Sequence, residues 1–221
     1  MILTNSDPLS LIEAKYIKGY LPNLFSWKEL AYLINIRPLM TNQRVKLLDA
    51  EGRKFRWMGT GWNHDPNCYP PSLIRDLLDE MVIYFTDMSR ATEKINDVAR
   101  SIENTYQRQV DAHIYVCRNP ELEHPFGAHF DEAYNVIIQC EGKTNFKIWD
   151  EVADKEGKTS NLTLNDQPIL DVIMEPGDMI VVPMYYPHHA ISLSPRMSVS
   201  FAFTQRGLLS IANEDRSWIS L

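Results

Sequence analysis

The spacing of apolar residues changes after Tyr106, and that change constrains the fold more than any other feature of the chain. Before it, apolar side chains recur at helical intervals: Leu30, Tyr32, Leu33 and Ile36 follow Ser26-Trp27-Lys28-Glu29, which has the form of a capping box. Leu73, Ile74, Leu77, Leu78 and Met81 predict a helix over 72–85, and Ile95, Val98, Ala99 and Ile102 predict another over 88–106. A hairpin is expected between Val45-Lys46-Leu47-Leu48 and Phe55-Arg56-Trp57-Met58, across the turn-forming stretch 49–52. From Asp111 onward the pattern becomes short β-type runs at 113–116, 134–138, 146–149, 169–174, 179–182 and 197–203, separated by turns such as Glu175-Pro176-Gly177-Asp178. An all-β sandwich or barrel fits such runs.

At 221 residues, 44% of them apolar, the chain is long enough to bury a full core. The reading divides it into a helical N-terminal extension (1–110) packed on a β core (111–207), followed by a tail (208–221). No run of about 18 apolar residues suggests a membrane span, and the first residues lack the basic-then-apolar order of a signal peptide. Three cysteines, Cys68, Cys117 and Cys140, form no Cys-x-x-Cys spacing, so a reducing cytoplasm is the expected location. The formal charge of −7 argues against a partner recognised through its phosphates, so neither nucleic acid nor membrane is expected as a partner.

The chemistry concentrates in two segments. In His129-Phe130-Asp131 an imidazole and a carboxylate stand at i and i+2, which in an extended chain face the same side. A third donor is available from the pair His188-His189, which follows the Pro-Gly-Asp turn and a short apolar strand. Two histidines and one carboxylate make the facial triad of oxygen-activating non-haem Fe(II) sites, with coordination positions left open. His-x-Asp alone is weak evidence, because a solvated loop histidine explains most such tripeptides. Its setting, with small residues before it and an apolar strand after it, strengthens it.

Gly127-Ala128-His129-Phe130-Asp131-Glu132 with Asn135, Gln139 and Gly142, and Pro183-Met184-Tyr185-Tyr186-Pro187-His188-His189-Ala190-Ile191, resemble the two metal segments of the JmjC-like and cupin-like 2-oxoglutarate oxygenases. The likeness extends to the asparaginyl hydroxylase of hypoxia-inducible factor and to ribosomal-protein hydroxylases, over roughly 111–204. It implies a mainly β fold with N-terminal helices and a double-stranded β-helix (jelly-roll, cupin) core. It also implies Fe(II) and 2-oxoglutarate as cofactors, with His129, Asp131 and His188 as metal ligands and catalytic centre. The ligand choice of His188 over His189 rests on the resemblance.

In that family a basic residue often stands two positions after the glycine matched by Gly142, where it holds the distal carboxylate of 2-oxoglutarate. This chain has Thr144 there, a departure. Arg196, eight positions after His188, is the first replacement; Lys143 and Lys147 are the others, and Thr144, Tyr115 and Asn135 are candidates for neutral hydrogen bonds to the same ligand. His113, in an apolar strand, reads as a hydrogen-bonded core histidine, and His64 and His124 as solvated. Trp57, Trp62, Tyr69, Tyr185 and Tyr186 are candidates to line a peptide entrance, with Asp65 and Glu132 adding negative charge.

The expected activity is hydroxylation of a protein or peptide side chain, or of a free amino acid or natural-product intermediate, with succinate and CO2 as co-products. A metal-dependent cupin enzyme that does not use 2-oxoglutarate is the alternative that Thr144 keeps open, and a non-catalytic binding module is a third reading. A homodimer is favoured, with the N-terminal helices or the tail as the pairing surface.

Overall fold

The computed structural model of the chain describes residues 13–36, 39–41, 43–49, 53–55, 68–122, 127–150, 162–164 and 167–204. Among these, eight strands form one sheet and three form another. In chain order the strands are β1 (Lys15–Ile17), β2 (Val45–Leu48), β3 (Lys54–Phe55), β4 (Val82–Phe85), β5 (Asp111–Cys117), β6 (Tyr134–Glu141), β7 (Thr144–Ile148), β8 (Leu170–Met174), β9 (Met179–Val182), β10 (His188–Ser192) and β11 (Arg196–Phe203). The helices are α1 (Trp27–Leu33), α2 (Pro71–Leu77) and α3 (Glu93–Tyr106). The large sheet runs β1-β9-β6-β11-β5-β4-β2-β3 and the small one β10-β7-β8, with every pairing antiparallel. The fold is therefore mainly β with helices from the N-terminal half, and its core is the jelly-roll expected of a double-stranded β-helix.

Alternation along each strand builds two interiors. On the large sheet Ala112, Ile114 and Val116 of β5, Val136 and Ile138 of β6, and Val199 and Phe201 of β11 face one side, where they pack with Ile95, Val98, Ala99 and Ile102 of α3. The opposite side faces the small sheet, where Ile180 and Val182 meet Phe146, Ile148, Met174 and Ala190. That second interior is apolar at one end only. Towards the other, β11 contributes Arg196, Ser198 and Ser200 and β6 contributes Asn135, all buried.

Helix ends follow local chemistry. Ser26 caps α1 by accepting from the Glu29 N–H at 3.3 Å, and its hydroxyl donates to the Glu29 carboxylate at 2.7 Å. Thr92 caps α3 in the same way, accepting from the Ile95 N–H at 3.2 Å. Two helical expectations are corrected. The helix expected over 72–85 stops at Leu77, and Val82-Ile83-Tyr84-Phe85 instead forms β4 between β2 and β5, because a β-branched and aromatic run bordered on both sides by strands is paired more favourably than coiled. The helix expected from 88 starts at Glu93, after the Thr92 cap.

The hairpin is present as Leu47↔Phe55 and Leu48↔Lys54, while residues 56–58 lie outside the described residues. The N-terminal region is thus less helical than its spacing predicts: β1, β2, β3 and β4 all join the large sheet. β1 was not foreseen. It is held by pairing with β9 and by the buried Asp178 of the Pro-Gly-Asp turn, which accepts from the Tyr16 hydroxyl (2.6 Å) and the Gly19 N–H (2.7 Å). Burial and that carboxylate push the Tyr16 phenol up to about 12. No described helix is long and apolar enough to cross a membrane.

Candidate metal centre

His129 and Asp131 lie on the segment leading into β6, and His188 opens β10. Two backbone hydrogen bonds join these elements, His129 N–H to His188 O at 3.0 Å and His188 N–H to His129 O at 2.7 Å, so the two imidazoles are cross-strand neighbours with ring centroids 4.3 Å apart. A third bond, from Tyr185 N–H to Asp131 O at 2.9 Å, holds the carboxylate-bearing residue against the same loop. One donor atom from each of His129, Asp131 and His188 can be chosen so that all three lie within 4.8 Å of one another.

Both rings are oriented by the backbone two residues earlier. Nδ1 of His129 lies 3.1 Å from Gly127 O, and Nδ1 of His188 lies 3.1 Å from Tyr186 O. A carbonyl oxygen can only accept, so each Nδ1 carries the proton and each Nε2 keeps its lone pair for a metal. Nε2 of His188 lies 3.7 Å from the Asp131 carboxylate. Burial, and then the neighbouring His188, lower the His129 pKa to about 4, against the raising effects of Asp131 and the Gly127 carbonyl; the ring is neutral at physiological pH. His188 is also stacked on Phe146, with rings 5.8 Å apart and 6° from parallel.

The Asp131 carboxylate is itself held. Asn135 Nδ2 donates to it at 2.9 Å, and the Ser200 hydroxyl donates to Asn135 Oδ1 at 2.9 Å, so a buried chain fixes one carboxylate oxygen from β11 through β6. Donor set, tautomers and outer hydrogen bonds all suit a divalent transition metal with open coordination positions.

The three ligand candidates share a pocket with about 420 Å³ of space between atoms, part of it open to solvent. Tyr115, Asn135, Ser198 and Ser200 line it from the large sheet and Phe146 and Ala190 from the small one, with Arg196 also on the wall. Arg196 is 3% exposed. Its guanidinium donates to the Ser192 hydroxyl (Nε, 2.8 Å) and the Ser198 hydroxyl (Nη1, 3.3 Å), and it has no carboxylate partner among the described residues. Burial lowers its pKa from the usual guanidinium value.

Of the residues singled out from sequence, the pocket brings Tyr115, Asn135 and Arg196 together with the triad. Lys143, Thr144 and Lys147 stay out of it. Lys143 is exposed and paired with Glu175 at 2.8 Å, and Lys147 faces Asp171 at 3.5 Å. Thr144 is buried, but its hydroxyl donates to the Gln139 side chain at 3.0 Å, and Gln139 in turn donates to Glu141 O at 2.7 Å. The position at which the resembled family often carries its anchoring cation is filled here by a closed Thr144–Gln139 pair. Asn135 holds the carboxylate of Asp131, a role the sequence did not suggest. Ser198 and Ser200 were not singled out either, although serines at alternate positions of an otherwise apolar strand mark a polar inner face.

His113 is not a core residue: it is half-buried and bonded to Asp111 at 2.8 Å. Tyr69 is buried, whereas Tyr185 and Tyr186 are half-buried; Trp57, Trp62, His64, Asp65, His124 and the tail lie outside the described residues.

Comparison with known proteins agrees with this geometry. The family model described as JmjC domain matches residues 87–210. Among curated proteins, the bifunctional lysine-specific demethylase and histidyl-hydroxylase NO66 of Drosophila persimilis is 24% identical over 155 residues, 68% of this chain and 22% of that protein. The protein of the same name from Caenorhabditis elegans is 24% identical over 179 residues, 77% of this chain and 23% of its own length. Among solved structures, the ribosomal oxygenase YcfD of Escherichia coli in complex with cobalt and 2-oxoglutarate superposes with a TM-score of 0.62 at 16% identity, covering 95% of this chain and 53% of that one. The same enzyme with cobalt and succinic acid gives 0.60 at 16% identity, covering 96% and 55%. The chain thus spans about half the length of these solved structures and less than a quarter of the curated relatives.

Proposed function

The chain belongs to the JmjC domain family, and on that premise we propose that it is an Fe(II)- and 2-oxoglutarate-dependent oxygenase that hydroxylates a side chain of a protein or peptide. The observation that carries the proposal is the buried Arg196 guanidinium, without a carboxylate partner among the described residues, on the wall of the pocket that also holds the His129, Asp131 and His188 donors. A cation removed from water is costly unless an anion meets it. A ligand with a carboxylate at one end and a metal-chelating keto acid at the other satisfies both features of this pocket.

When bound, Fe(II) and 2-oxoglutarate supply the oxidation: dioxygen is consumed, 2-oxoglutarate becomes succinate and carbon dioxide, and one oxygen atom enters a substrate C–H bond. The chain's own residues do the rest. His129 and His188 would hold the metal through Nε2, Asn135 fixes Asp131, and Arg196 with Ser192 and Ser198 would receive the distal carboxylate. Tyr115 lines the same pocket, and its phenol is kept protonated by burial and by the nearby Asp131, which makes it a neutral donor. Phe146, Ile137 and Ala190 keep the intervening wall apolar and limit water. A protein substrate is supported by relatives named as a histidyl-hydroxylase and a ribosomal oxygenase.

Anaerobic titration of metal-free protein with Fe(II) and then 2-oxoglutarate tests the proposal through the visible charge-transfer band of a chelated keto acid. The wild type should develop the band, and Arg196→Ala should need at least tenfold more 2-oxoglutarate, roughly what losing a charged hydrogen-bonded pair costs. Tight, His129-dependent Fe(II) binding with no band would overturn the cosubstrate and leave a metal-only enzyme. An unchanged titration in Arg196→Ala would remove Arg196 as the anchor.

A further inference from the structure

The end of the barrel away from His188 holds a polar cluster contributed by both sheets. On the small sheet β10 and β7 pair as His188↔Ile148, Ala190↔Phe146 and Ser192↔Thr144. Directly opposed residues of an antiparallel pair share a face, and Ala190 and Phe146 line the pocket, so Ser192 and Thr144 form the next rung on that inward face. On the large sheet Ser198 of β11 stands between Tyr115 of β5 and Gln139 of β6. Thr144, Ser192, Ser198 and Gln139 are all buried.

Arg196 places its guanidinium in this cluster. Nε donates to the Ser192 hydroxyl at 2.8 Å and Nη1 to the Ser198 hydroxyl at 3.3 Å, so one cation is held by a hydroxyl from each sheet. Ser192 has Thr144 as its opposed neighbour, and the Cβ atoms of such pairs lie about 4.5–5.5 Å apart. A basic side chain rooted at 144 on the small sheet therefore reaches the same hydroxyl as Arg196 does from the large one. Thr144 leaves that place open. It is short, and its hydroxyl is turned to the Gln139 side-chain oxygen at 3.0 Å. The Gln139 amide is fixed in that sense because its Nε2 donates to Glu141 O at 2.7 Å, and a carbonyl can only accept.

We infer that positions 144 and 196 serve one cation site from opposite sheets: Arg196 fills it, Ser192 is the support both positions reach, and Thr144 is the positioning residue that keeps the place clear. The inference rests on the oxygenase reading above and deepens its cosubstrate end. A single distal carboxylate needs one cation. A second in the same buried space has no anion to meet it and repels the first, which costs stability. None at all leaves the carboxylate to hydroxyls. Occupancy of the two positions is accordingly exclusive, one basic residue from either sheet, and the cation can be moved from β11 to β7 with the cosubstrate still held.

Four forms of the full chain test this: wild type, Arg196→Met, Thr144→Lys and the double variant Thr144→Lys/Arg196→Met. Each is titrated anaerobically with Fe(II) and then 2-oxoglutarate, with the keto-acid charge-transfer band as readout, and each is unfolded in urea without either. Arg196→Met should need at least tenfold more 2-oxoglutarate than wild type. The double variant should recover most of that loss, since the cation returns from the other sheet, whereas independent positions would simply add. Thr144→Lys alone, with two cations at one place, should unfold at a lower urea concentration than wild type and than the double variant. A folded double variant that titrates like Arg196→Met overturns the inference, as does a double variant with no cooperative unfolding transition, or a Thr144→Lys protein as stable as wild type. An Arg196→Met titration equal to that of wild type takes the cation out of the site and overturns it as well. Absence of the band in wild type would instead overturn the oxygenase reading, and this inference with it.

Discussion

Asn135 and Arg196 line the pocket beside the three ligand candidates. Asn135 joins Asp131 to Ser200, so Asn135→Ala frees one carboxylate oxygen and leaves the Ser200 hydroxyl without its acceptor. Metal affinity should fall about tenfold, at the lower end of what lost outer partners cost, and a Co(II) absorbance titration measures it; wild-type affinity would mean that the carboxylate is held by its backbone alone. Arg196 works in the opposite direction for stability. Among the described residues this buried cation is supported by hydroxyls alone, so Arg196→Met should raise the stability of ligand-free protein by about 1 kcal/mol or more, read by urea unfolding, while abolishing any stabilisation by added 2-oxoglutarate. The His129-x-Asp131 spacing and the His188-His189 pair were legible in the sequence because their spacing and flanking turns are local. Replacement of the usual anchor position was only half legible: Thr144 shows that the cation is missing, but its pairing with Gln139 depends on how the strands β6 and β7 turn around Gly142.

That turn is tightly constrained. Gly142 has φ +67, and a Cβ there would meet Pro195 O at 1.9 Å, backbone against backbone. Gly142→Ala therefore combines a left-handed conformation with a clash that no side-chain rotation relieves, and should cost roughly 2 kcal/mol or more. Because the same turn carries β6 into β7, thermal unfolding should show a lower Tm together with weaker metal binding; an unaltered Tm would show that the loop before Arg196 moves aside. Strands β5, β6, β8, β9 and β11 were legible because alternation with long apolar runs is a local signal. β4 was not, since the helical spacing of Leu73, Ile74, Leu77 and Leu78 runs up to it, and only its neighbours on either side, β2 and β5, make Val82–Phe85 a strand. β1 and β10 also needed partners, three residues being too few to announce a strand and the His188-His189 segment lacking a clear alternation.

Across the whole molecule, the site exists only because two sheets close on each other and bring His188 to His129, a contact between segments separated along the chain by β6, β7, β8 and β9. No local pattern contains that pairing, which is why His188 could be chosen over His189 from sequence only through resemblance. Closure also packs the half-buried His129 against His188, and this gives the metal-free molecule a pH dependence with a definite sign. His129 has a folded pKa of about 4 against an ordinary 6.5, so between those values the unfolded chain binds a proton that the folded chain does not. Stability is complete above about pH 6.5 and declines as the pH falls, with a slope of about 1.4 kcal/mol per unit from this residue while the difference in protonation is full. Below about pH 4 both states are protonated and the decline from His129 ends. Urea unfolding in the presence of chelator at pH 7.5, 6.5, 5.5 and 4.5 should show a steeper loss for wild type than for His129→Asn, whose side chain does not titrate. Equal slopes would mean that the folded imidazole protonates as readily as the unfolded one, and that the two neighbouring histidines open to water before they unfold.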